Sequence, residues 1–118
     1  MSYVSGFLAA VPEANKDAYL EMAKASWPLF KDYGAVAMVE NWEEDVPDGE
    51  VTSFPMAVKR QDGEKIVFSW IIWPDKAAAD ACWGSMQTDP RWQQAMTMPF
   101  DGKRMIFGNF DTLISFGA

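Results

Sequence analysis

A few stretches of this chain carry side chains able to do chemistry. Asp101-Gly102-Lys103-Arg104 joins opposite charges through a tight turn. An arginine such as Arg104 grips a carboxylate or an enolate oxygen with two parallel N–H donors. In the scaffold reading, which is preferred, Asp101 caps the turn and Arg104 pairs with a nearby acid. Ser69-Trp70, Asn41-Trp42 and Asn109 set polar groups into apolar runs. Buried polar groups must find partners, so these either organise the core or face a pocket. Asn41, Ser69, Arg104 and Asp101 are therefore the catalytic candidates. Trp42, Trp70, Asn109, Arg91 and Trp92 are the pocket candidates, with Arg91 and Trp92 closing a cavity mouth or packing a helix end.

The acids Glu40, Glu43, Glu44, Asp45, Asp48 and Glu50 crowd eleven residues that contain no Lys or Arg. Such density invites a hard cation or an acid–base pair of carboxylates. No calcium-loop spacing is present, however, and a solvated loop is the preferred reading. The chain has no histidine, which removes His-based triads and His-containing metal sites. Cys82 is the lone cysteine, so no intrachain disulfide and no multi-cysteine metal site is expected. Neither a metal nor a cofactor is called for. Any general acid has to be a carboxyl group or a tyrosine.

Ten Lys and Arg stand against 17 Asp and Glu, a formal charge of −7. Phosphate backbones and anionic lipid surfaces attract clustered cations, so neither nucleic acid nor a membrane is an expected partner. No run approaches the roughly 20 apolar residues of a membrane span. The apolar stretch that begins at Tyr3 is preceded by no basic residue, unlike a secretion signal. The expected location is the cytoplasm.

Positioning these residues requires elements that the hydrophobic pattern outlines. Residues 3–11 read as a first strand ending at Pro12. Tyr19, Met22, Ala23, Ser26, Phe30 and Tyr33 then recur at helical spacing, with Gly34 as the stop and Pro28 as a kink or a fresh start. Residues 35–43 read as a second strand, followed by a turn over Val46-Pro47-Asp48-Gly49. Met56–Arg60 and Lys65–Trp73 look like a hairpin. Asp75 caps a helix that carries Ala78, Ala79, Cys82, Trp83 and Met86 on one face. A short helix after Asp89-Pro90 and a last strand from Arg104 to Ile114 complete the order. The pattern is α+β: a ferredoxin-like βαββαβ sandwich with an antiparallel sheet and an extra hairpin arm, one domain over 1–118.

The strands do not alternate cleanly between apolar and polar. Phe68, Trp70 and Ile72 oppose Val67, Ile71 and Trp73, and Tyr3 and Phe7 oppose Val4 and Leu8. Two helices cover only one face of such a sheet. With 14% of its residues aromatic, the chain is expected to pair with a copy of itself through the other face. The rival is a monomer that holds an apolar ligand.

Three blocks resemble a known family: Glu40-Asn41-Trp42 with Asp45-Val46-Pro47-Asp48-Gly49, Val67-Phe68-Ser69-Trp70-Ile71, and Met98 through Gly108. Together with Tyr3-Val4-Ser5-Gly6-Phe7 they look like the YbaA-like bacterial proteins of unknown function. The resemblance implies a dimeric α/β barrel and a homodimer, and no activity. Asn41 stands where such proteins often have Cys, and Ser5 where they often have Asp, so thiol chemistry at position 41 is not expected.

Two functional readings share a pocket between helices and sheet. One is a metal-free enzyme of oxygenase or isomerase type acting on a small apolar or carboxylate-bearing metabolite. The other is a non-catalytic binder of such metabolites. A third reading, a purely structural or interaction dimer, needs no pocket.

Overall fold

The structure is a computed structural model and describes residues 2–117. Its order is β1 (Tyr3–Pro12), α1 (Lys16–Asp32), β2 (Ala37–Trp42), α2 (Phe54–Ala57), β3 (Glu64–Trp73), α3 (Lys76–Gly84), α4 (Trp92–Ala95) and β4 (Ile106–Asp111). The four strands form one antiparallel sheet in the order β2-β3-β1-β4. This is the ferredoxin-like α+β topology.

Local chemistry explains the helices. A short 3-10 turn over Glu13–Asn15 leads into α1, whose buried side chains Tyr19, Ala23, Ser26, Leu29 and Phe30 form one stripe at helical spacing. The helix runs through Pro28 without restarting. It ends before Gly34, whose φ of +108° suits a residue without a Cβ. Asp75 caps α3 by accepting from the Ala78 amide at 2.9 Å.

Two expectations need correction. Met56–Arg60 is not a hairpin arm. Ser53 caps a one-turn helix by accepting from the Met56 amide at 3.1 Å, and Pro55 occupies its first turn, where a missing N–H costs nothing. Nor does the last strand begin at Arg104: residues 102–104 form a 3-10 turn capped by Asp101, and pairing stops at Asp111.

The alternation hidden in the apolar strands is decisive. Along β3, Val67, Ser69, Ile71 and Trp73 face α1 and α3 and are buried, whereas Phe68 on the opposite face is 45% exposed. The helix-side core joins Leu29, Phe30, Ile71, Trp73, Ala79, Cys82 and Trp92, and continues into Ala9, Val11, Tyr19 and Val67. On the far face, among the described residues, Ala10, Val58 and Ile66 form the one buried cluster, beside α2. Phe68, Ile106 and Phe110 remain open there, as do Leu113, Ile114 and Phe116 beyond β4.

Candidate active site

Between the helices and the sheet lies a cavity of about 610 Å³. Ala9, Glu40, Ser69, Ile71, Phe107 and Asn109 contribute to it from the four strands, and Tyr19, Met22, Ala23 and Ser26 from α1. Trp83, Trp92, Met96, Met98 and Phe100 line it further. Six of the chain's eight methionines take part: Met22, Met38, Met86, Met96, Met98 and Met105. A wall of unbranched thioethers adapts to varied ligand shapes.

The polar centre of this apolar space is a pair that the strand and helix periods bring together. Glu40 follows Met38 by two residues on β2, so both point to the helix side. Tyr19 projects from the buried stripe of α1. The Tyr19 hydroxyl donates to Glu40 Oε1 at 2.6 Å. Ser69 is the cross-strand partner of Glu40 and turns its hydroxyl to the same pair. Burial raises the Glu40 carboxyl above the ordinary carboxylate range, while hydrogen bonds from Tyr19 and Ser69 oppose the rise. Burial, and next the negative charge of Glu40, push the Tyr19 hydroxyl upward, so it stays protonated. The result is a base partly stripped of water and held by a permanent donor.

A second polar network closes the β1–β4 side. Ser5 donates to Asn109 Oδ1 at 2.6 Å and accepts from Trp73 Nε1 at 3.0 Å. Trp92 Nε1 donates to Ser85 Oγ at 2.7 Å. Trp83 stands among rings, with centroids 5.3 Å from Phe107 and 5.5 Å from Trp92. Its buried indole N–H finds no partner among the described residues.

The residues singled out in the sequence scatter. Ser69, Asn109 and Trp92 line the cavity. Asn41 and Trp70 lie on the opposite face of the sheet: Asn41 is exposed and donates to the Phe68 carbonyl at 3.0 Å, and Trp70 stacks edge-on with Phe68. Odd–even alternation decides this, because each side chain follows an inward neighbour by one residue. Trp42 is on the helix side but packs against the Ala9–Val67 cluster, under the Lys16 ammonium at 5.2 Å from its ring.

The charged candidates serve as scaffold. Arg104 binds both Glu64 oxygens at 2.7 and 2.8 Å, Asp101 Oδ2 at 3.0 Å and the Lys59 carbonyl at 2.9 Å, outside the cavity lining. Arg91 is spent on Asp32 and Asp89. The acidic run disperses too. Glu43 grips Arg60 and accepts from the Ile66 amide at 2.7 Å, Asp48 meets Arg60 at 3.1 Å, and Glu40 alone turns into the cavity. Burial pushes the Cys82 thiol up to about 12, leaving little thiolate.

Sequence reasoning missed the Tyr19–Glu40 pair. Tyr19 read as one more member of an apolar helix stripe, and Glu40 as one of six acids in a wet loop. The usable signal was the strand pattern Met38-x-Glu40-x-Trp42, which puts a carboxylate between two large apolar side chains on one face.

A family model described as "Protein of unknown function (DUF1428)" matches residues 2–102. Curated relatives named "Uncharacterized protein YbaA" from Escherichia coli (strain K12) and from Shigella flexneri are each 54% identical over 115 residues, covering 97% of this chain and 98% of theirs. A solved structure described as a dimeric ferredoxin-like protein from an uncultured marine organism aligns over 99% of this chain and 98% of its own. Its TM-score is 0.56 at 10% identity, a likeness of fold.

Proposed function

The chain belongs to the DUF1428 family of proteins of unknown function, and within that family we propose that it is a metal-free small-molecule enzyme with Glu40 as its base. The observation that carries this reading is the Tyr19–Glu40 pair, 2.6 Å apart, inside an otherwise apolar cavity of about 610 Å³. A carboxylate with a raised pKa takes a proton from a weakly acidic carbon and returns it elsewhere, which is isomerase chemistry. Oxygenase chemistry shares the first step and adds dioxygen as a co-substrate; the isomerase form needs no co-reactant and is preferred. Tyr19 acts as a positioning residue, holding one carboxylate oxygen so that the other faces the substrate.

The working unit in this proposal is a cytoplasmic homodimer of single-domain chains. Support comes from the open apolar sheet face and from a fold neighbour described as dimeric. A net charge of −7 supports the absence of nucleic-acid and anionic-membrane partners. The methionine-rich lining favours the second reading, a non-catalytic binder of apolar metabolites.

Proton exchange separates the two. In D₂O at neutral pH, a weakly acidic ketone such as 2-tetralone is expected to gain deuterium at C1 faster with the protein than without it. Glu40→Gln is expected to lower that protein-dependent rate about 100-fold or more. Binding of the ketone with no added exchange, or an undiminished rate in Glu40→Gln, overturns the catalytic reading and leaves the binder.

A further inference from the structure

The strand register fixes how the polar groups of the cavity are spaced. Glu40, Ser69, Phe7 and Phe107 form one cross-strand row on the helix side. Met38, Ile71, Ser5 and Asn109 form the next row. With strands about 4.8 Å apart and a rise of about 3.4 Å per residue, the Glu40 and Asn109 backbones lie about 16 Å apart. Both residues line the same cavity, and the wall between them is apolar: Phe7, Ile71 and Phe107. The Glu40 end is the inner one, since its neighbours Tyr19 and Ser69 are buried. Asn109 is the outer end, exposed beside the 44% exposed Phe107 and so within reach of a ligand.

A relay of hydrogen bonds sets which way the Asn109 amide points. The Trp73 indole only donates, and it donates to Ser5 Oγ at 3.0 Å. The single Ser5 hydroxyl proton is thereby left for Asn109, and it is donated to Oδ1 at 2.6 Å. The Asn109 oxygen is occupied, and its Nδ2 meets no acceptor among the described residues. Ser5 and Trp73 are both fully buried, so an amide at the solvent end is oriented from within the core. An asparagine that served only to be hydrated would need no such relay. What the relay presents is a pair of N–H donors on a fixed side chain.

Donors of this kind read an acceptor oxygen, and the surroundings select its charge. No Lys or Arg stands among the lining residues, whereas Glu40 and Asp80 do. Asp111 follows Asn109 by two residues on the same face of β4. A carboxylate at this end would meet acids and no counter-charge. An ammonium group would gain nothing from Asn109, whose one acceptor atom is already taken.

We propose that Asn109 is the second anchor of this cavity, donating from Nδ2 to an uncharged carbonyl oxygen at the outer end of an elongated apolar ligand. The proposal rests on the acid–base reading for the inner end, where the reactive carbon lies against Glu40. A compound as short as 2-tetralone touches one anchor only. The substrate class is accordingly a long, neutral molecule with its acidic C–H at one end and a carbonyl at the other.

The test is a matched series of one length, read by isothermal titration calorimetry at pH 7.5. Its members are 6-phenyl-2-tetralone, 6-(4-acetylphenyl)-2-tetralone and 6-(4-carboxyphenyl)-2-tetralone, which differ only at the outer end. The acetyl compound is expected to bind about fivefold tighter than the phenyl compound, as suits one neutral hydrogen bond. The carboxylate is expected to bind more weakly than either. Asn109→Asp keeps an oxygen for the Ser5 hydroxyl and removes both N–H donors. It is expected to erase the acetyl advantage while leaving the phenyl compound near its original affinity. Equal binding of the acetyl and phenyl compounds by the unaltered protein overturns the proposal without dependence on any variant's folding. Carboxylate binding equal to that of the acetyl compound also overturns it, as does a full acetyl advantage in a folded Asn109→Asp protein. The acid–base reading fails separately: an acetyl advantage without deuterium exchange at C1 removes Glu40 as base and leaves the Asn109 anchor standing.

Discussion

Tyr19 and Glu40, 21 residues apart in the chain, meet through a 2.6 Å hydrogen bond inside the helix–sheet cavity. The contact joins the first turn of α1 to the edge strand β2. It places a carboxylate where solvation is poor, and so couples the stability of the fold to the state of the site.

That coupling has a definite sign. Burial raises the folded-state pKa of Glu40 above its unfolded value. Stability from this group is thus fully present below the ordinary carboxylate pKa, and is lost as pH rises through the folded value. Glu40→Gln, neutral at every pH and still able to accept from Tyr19, is expected to melt higher than the unaltered protein at pH 7.5. At pH 4 the gap is expected to close. Thermal melts at the two pH values check this, and a lower melting temperature for Glu40→Gln at pH 7.5 would refute it.

Arg104 and Glu64 behave in the opposite sense. The Arg104 guanidinium holds the Glu64 carboxyl below its ordinary range, so its contribution to stability is present near neutrality and lost as pH falls through that depressed value. Arg104→Ala removes the partner of the half-buried Glu64 and is expected to lower the urea midpoint at pH 7, with a smaller loss at low pH. Its ketone affinity per folded molecule is expected to be unchanged, because Arg104 does not line the cavity.

Ser5 tests the β1–β4 seam. It is buried, donates to Asn109 and accepts from Trp73 Nε1. Ser5→Ala strands an indole N–H in the core and frees Asn109, with an expected loss of about 1–3 kcal/mol. Equilibrium urea melts with an unaltered slope give the measurement; a loss below about 0.5 kcal/mol would mean that water replaces the hydroxyl.

The open face of the sheet makes the fourth prediction. Phe68 and Phe110 are 45% and 62% exposed on the side away from α1 and α3. Sedimentation at micromolar concentration is expected to report twice 13.3 kDa. Phe68→Asp is expected to return the single-chain mass while the far-UV circular dichroism is retained. An unaltered protein that sediments as one chain ends the dimer proposal.

The architecture was legible from sequence because its signals are local. Helix period over 16–33, the cap at Asp75 and the apolar run 66–73 are local patterns, each set by backbone geometry within a few residues. They located all four strands and the main helices. Local chemistry also explains the misread hairpin arm: Ser53 and Pro55 favour a helical turn at the point where apolar spacing alone suggests a strand.

The site was legible only in fragments, because it is made by contacts between residues far apart in sequence. Ser69, Asn109 and Trp92 drew notice as polar or ring-bearing residues in apolar surroundings, and the cavity gathers them. Nothing near Tyr19 marks it as facing a carboxylate, and nothing near Glu40 separates it from five neighbouring acids. By itself the sequence determined the elements, the ferredoxin-like order and the surplus of apolar surface, since those follow from short-range periodicity and composition. The tertiary structure alone decided which acid is dry, which arginine is occupied and which indole lacks a partner. Desolvation and hydrogen bonding depend on what packs across the helix–sheet interface, and that is settled only once the chain has closed on itself.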